Sequence, residues 1–128
     1  MFNISLGNLA EAKRQIMEAS KIFQITFGQE SHNYSIMLHK LALCNALQHN
    51  FSESIRLEKE VLKIFAKTIG KNHPDYRLAL NDLTFYYFNS KDYINTAQQA
   101  ILTTEECNKI VFSTFYRFDI SRKNSFLE

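Results

Sequence analysis

The residues with most scope for chemistry are four histidines, at positions 32, 39, 49 and 73. A zinc site needs three or four ligands at characteristic short spacings. His39 and His49 lie ten apart, which does not stack them on one helical face, and His32 and His73 fall in segments that read as turns. The carboxylate pairs Glu58/Glu60 and Glu105/Glu106 are adjacent or nearly so, the pattern of a solvated helix surface rather than of an acid–base pair. Cys44 and Cys107 belong to no CxxC and sit in apolar stretches, which reads as buried, reduced thiols. No glycine-rich phosphate loop, GxSxG elbow or HExxH is present in the sequence. The expectation is a chain that is not an enzyme, with no metal and no cofactor.

The elements that position these residues are read from composition and periodicity. The 128 residues are 45% hydrophobic and 22% charged, with three Gly and one Pro, which fits one globular unit of long helices rather than many short strands. Fifteen basic against thirteen acidic side chains give a net charge of +2, too small to argue for nucleic acid or an anionic membrane. Residues 1–12 lack a signal-peptide pattern, and the apolar run 41–47 is far short of a membrane span, so a cytoplasmic location is expected. The N-x-S triplets at Asn3, Asn33 and Asn50 are then chance occurrences.

The sequence repeats itself at a spacing of 42 residues. Between 9–28 and 51–70, Glu11, Arg14, Glu18, Lys21, Ile22, Phe23, Thr26 and Gly28 recur as Glu53, Arg56, Glu60, Lys63, Ile64, Phe65, Thr68 and Gly70. Tyr34, Leu38 and Leu41 recur as Tyr76, Leu80 and Leu83. Apolar spacings of three and four predict five helices near 8–27, 32–48, 51–69, 74–89 and 92–111, with short loops and antiparallel neighbours. Asn50 with Glu53, and Asn8 with Glu11, read as N-caps with a carboxylate reaching back, and Asp92 takes the same place one period later. Gly28 and Gly70 read as left-handed helix ends, and Pro74 as a first-turn residue. In the run 85–88, Tyr86 or Tyr87 is expected in the core, with Phe85 and Phe88 partly on the concave side.

A helix–turn–helix unit of this kind resembles the tetratricopeptide repeat, and the 42-residue period resembles the kinesin-light-chain type. The run Gly70-Lys71-Asn72-His73-Pro74-Asp75-Tyr76 is similar to that family's G-x-x-H-P-D loop, and Leu80-Asn81-Asp82-Leu83 to its L-N-N-L-A. The preceding repeat is more degenerate, with His32 in place of the Pro. Small residues that let paired helices approach fall at Ala42 and Thr84, and at Ala12, Ser54 and Thr96. The resemblance covers residues 3–111 and implies an all-α, right-handed superhelical solenoid of antiparallel helix pairs, about two and a half repeats over 1–112, with 113–128 as tail or cap. The tail interleaves Phe115, Tyr116 and Phe118 with Arg117, Arg122 and Lys123, and reads as a short cap or frayed end.

The resemblance also implies a scaffold that holds a peptide or partner segment in a concave groove. By aligned position the groove would carry Ile36, His39, Lys40 and Leu43 from one repeat and Leu78, Asn81, Asp82 and Phe85 from the next. Asn81 matches the family's Asn and could grip a peptide backbone, while Lys40 opposite Asp82 would make the groove charge-mixed. The partner expected is protein, not nucleic acid or membrane. Two other readings stay open at this point. The chain begins inside a repeat, so it could be a regulatory part of a larger enzyme-containing repeat protein. Alternatively, helix 8–27 would expose an apolar stripe near Ile16, Ala19 and Phe23, through which copies could self-associate.

Overall fold

The computed structural model describes residues 6–105 and 108–109. The described residues form helices α1 (Leu6–Phe27), α2 (His32–Leu47), α3 (Phe51–Thr68) and α4 (Pro74–Asn89), and a fifth, α5, that is helical over 93–105. Each of the first three packs against the next, α1 on α2, α2 on α3 and α3 on α4, which is the stacking of an all-α solenoid. The helix positions agree with the periodicity, and no strand occurs among the described residues.

α3 is the central element, touched on both sides. Its inward residues Leu57, Val61, Leu62, Ile64 and Phe65 meet Leu38 and Ala42 of α2 and Ala79, Leu80, Leu83 and Tyr86 of α4 in one core. The small-residue rule holds where the helices come closest. Ser54 and Ala42 are both fully buried, and Ser54 Oγ donates to the Ala42 carbonyl at 2.8 Å. Both Tyr86 and Tyr87 are core, not one of the two. Phe88 lies edge-on to Tyr93 across the α4–α5 turn, with ring centroids 6.1 Å apart, so it caps that turn rather than a concave surface.

The turns repeat as faithfully as the helices. Gly28 and Gly70 end α1 and α3 at φ of 95° and 83°. The turn from α2 to α3 passes through His49 at φ 61°, and the turn from α4 to α5 through Lys91 at φ 64°. His49 and Lys91 are one 42-residue period apart. Their left-handed backbone is invisible to a glycine-based reading, because neither is Gly. In both turns the residue after the left-handed one closes back onto a carbonyl five residues earlier, Asn50 onto Asn45 at 2.8 Å and Asp92 onto Tyr87 at 3.1 Å.

The caps are only partly those expected. Asn50 makes no side-chain cap; its amide donates to Asn45 Oδ1 at 3.4 Å, and Glu53 pairs with Arg56 instead of reaching back. Asn8 lies inside α1, which begins at Leu6, and Glu11 pairs with Arg14. The α2 and α4 caps are Ser31, whose Oγ accepts from the Tyr34 N–H, and His73, whose Nδ1 accepts from the Asp75 N–H, with Pro74 in the first turn. Asp92 does cap, accepting from the Asn95 N–H at 3.2 Å. A Cβ built on Gly70 would meet open space, so its conformation alone decides a substitution. Gly70→Ala should therefore cost about 1 kcal/mol, read as a lower urea midpoint with unchanged slope.

α1 has a described helix on one side only. Ile22 and Ile64 are equivalent by repeat, yet Ile22 is 61% exposed and Ile64 4%. The exposed stripe runs through Met17, Ile22, Ile25 and Phe27, while Ile16, Ala19 and Phe23, where it was expected, are half-buried. Cys44 is buried and free; Cys107 and the tail 113–128 lie outside the described residues.

Candidate functional site

α2 and α4 are the two helices that flank α3, and the face between them carries most of the expected site residues. Two hollows open on it. The larger, about 410 Å³, is lined by Leu43, Ala46, Leu47 and His49, by Phe51, and by Asp82, Phe85, Tyr86 and Asn89. The smaller, about 230 Å³, is lined by Ile36, His39, Phe65, Asp75 and Leu78. Leu43, Leu78 and Phe85 are each half or more exposed, large apolar groups wetted on one face. Lys40 and Asn81 are exposed and line neither hollow. Neither makes an ion pair or side-chain hydrogen bond among the described residues.

Between the hollows lies a charged cluster drawn from three helices. Glu58 of α3 is 0% exposed and accepts a hydrogen bond from His39 Nδ1 of α2 at 2.8 Å. The other ring nitrogen, Nε2, faces Asp82 Oδ2 of α4 at 3.6 Å. Asp82 is thus faced by His39, not by Lys40 as the sequence suggested. Nor is Glu58 the solvated half of a Glu58/Glu60 pair: Glu60 is exposed, and Glu58 is the largest fully buried side chain among the described residues. The repeat register held the signal for it, since the positions one period either side are Ile16 and Ala100. A carboxylate in an apolar slot must be paired or neutral.

The electrostatics follow from burial and pairing. The hydrogen bond to Glu58 holds the His39 imidazolium above the usual histidine range, more than desolvation lowers it. Desolvation pushes Glu58 up, opposed by His39, and desolvation also pushes Asp82 up. All three groups bind protons more tightly folded than unfolded. Their stabilisation is therefore fully present at low pH and is lost as pH rises, through the carboxylate range for Glu58 and Asp82 and above 6.5 for His39. The melting temperature should fall between about pH 6 and pH 8, and His39→Gln should flatten that slope. A melting temperature that rises across this window would contradict the pairing.

The three side chains offer one nitrogen and two carboxylate oxygens within 4.8 Å of one another, which could suit a cation. The imidazole stands between the carboxylates, in a hydrogen bond with Glu58 and 3.6 Å from Asp82. No helix among the described residues is long and apolar enough to cross a membrane.

Residues 37–75 match the family model of the tetratricopeptide repeat. Solved structures share the fold. The crystal structure of BtubC (BKLC) from P. vanneervenii superposes with a TM-score of 0.69 at 20% identity, over 81% of this chain and 39% of that one. The kinesin-light-chain-like protein with nearly identical TPR-like repeats from Podospora anserina superposes, as its Q17M form, with a TM-score of 0.69 at 23% identity, over 84% of this chain and 49% of that one. A second crystal structure of the latter protein gives 0.67. The chain spans less than half the length of these structures. No curated protein sequence matches it.

Proposed function

We propose that this chain, a tetratricopeptide-repeat protein with kinesin-light-chain-like units, binds an extended segment of a protein partner across the face between α2 and α4. Repeats of this family generally mediate protein–protein interaction and are generally non-catalytic scaffolds. The observation that carries the reading is the pair of hollows, with Leu43, Leu78 and Phe85 presented around them rather than buried. A peptide that lays alternate side chains into the hollows would remove that apolar surface from water without reorganising the core. Catalysis has no support in the site, and the charged cluster is read as a structural tie under the groove.

The test is selection of binders from a random peptide library displayed on phage, followed by affinity measurement. Asn81 has a free amide on the same helix as Asp82 and Phe85. Asn81→Ala should weaken a selected peptide about tenfold while leaving the melting temperature unchanged. Equal loss of both would make Asn81 a structural residue. Self-association is a second reading, favoured by the apolar stripe Ile22, Ile25 and Phe27 of α1. Sedimentation at micromolar concentration decides it, a clean monomer being the contrary result.

A further inference from the structure

The larger hollow contains a carboxylate that accepts no hydrogen bond from a described residue. Asp82 is two-thirds buried in its side chain, and its only near cationic neighbour among the described residues, His39 Nε2, is 3.6 Å away, beyond hydrogen-bond reach. His39 makes its close contact on the other side, with Glu58. No other described residue donates to Asp82. Its surroundings are the apolar walls of Leu43, Leu47, Phe51, Phe85 and Tyr86. The other groups that can carry charge here are His49 at the rim, Lys40, which is exposed and outside the hollow, and Asp75, which adds a second acid to the smaller hollow.

We propose that the larger hollow takes a basic side chain of the bound segment, arginine in preference to lysine. This rests on the reading that the face between α2 and α4 binds peptide. The aliphatic stem of such a side chain suits the leucine wall, and its head group supplies the donors that Asp82 lacks. A guanidinium can meet both oxygens of Asp82 and stack on the exposed ring of Phe85, which an ammonium cannot do as well. Asp82 in the larger hollow favours a basic side chain there over an acidic one.

Peptides selected from the random phage library should carry an arginine or lysine beside apolar residues. In a selected synthetic peptide, replacing that arginine with norleucine keeps the stem and removes the charge. Affinity measured by fluorescence anisotropy should fall on the order of tenfold to a hundredfold on the unmodified chain. On Asp82→Asn the two peptides should bind alike, both weakly, and added salt should weaken only the arginine peptide on the unmodified chain. The peptide-side substitution stands even where Asp82→Asn fails to fold. Equal binding of the norleucine peptide, or enrichment of acidic peptides, overturns the basic-side-chain proposal. The groove reading survives that result as long as Leu43→Asp/Phe85→Asp still abolishes binding. Binding unaffected by that double variant, or no enriched peptide at all, overturns both.

Discussion

His39→Ala should destabilise the fold by about 3 kcal/mol, and Glu58→Leu in the same chain should restore most of the loss. His39 is the hydrogen-bond partner of a carboxylate with no solvent contact. Removing the imidazole leaves Glu58 either charged without a partner or protonated at a cost set by pH. For a chain of this size a loss of that order lowers the melting temperature by roughly 10–20 °C. Rescue is expected because the slot is apolar by origin: the repeat places Ile16 and Ala100 there, and α3 surrounds it with Leu57, Val61 and Leu62. Replacing a buried ion network with apolar side chains is often neutral or stabilising, whereas removing one partner is not. Thermal and urea denaturation of the single and double variants read this directly. A single variant as stable as the unmodified chain would show that Glu58 needs no partner.

Leu43→Asp with Phe85→Asp is the second large effect, and it should fall on binding alone. Leu43 is 50% exposed and Phe85 59%, so neither holds the core together. A carboxylate at each position would put two more charges into an apolar hollow that already contains Asp82. Each large apolar side chain lost from an interface forfeits roughly 1.5–3 kcal/mol, so a selected peptide should weaken at least about a hundredfold. The melting temperature should move by no more than a few degrees. Ile25→Asp is the control, since Ile25 is 86% exposed on α1, away from both hollows. Equal weakening by Ile25→Asp would place binding elsewhere.

The solenoid was legible because one sequence signal repeats. Apolar spacing, Gly28 and Gly70, and Pro74 mark the helices and two of the turns in register. What stayed hidden depends on contacts between helices. His49 and Lys91 adopt left-handed backbone without the residue type that announces it. Asn50 reads as a cap but its amide goes to Asn45, because the tight turn brings those two side chains together first. Glu58 reads as surface beside Glu60, and only α2 and α4 closing over α3 bury it. Lys40 reads as the partner of Asp82, but His39 is the residue of α2 turned inward. Charges one residue apart on a helix point about 100° apart, so a one-position error reassigns the pair.

Amide chemical-shift mapping of a phage-selected peptide on the labelled chain tests the central claim most directly. The largest shifts should fall on Leu43, Leu47, Asp82 and Phe85, the residues of α2 and α4 that line the larger hollow. Largest shifts on α1, or on the exposed Lys59 and Lys63 of α3, with the α2–α4 face unmoved, would contradict it.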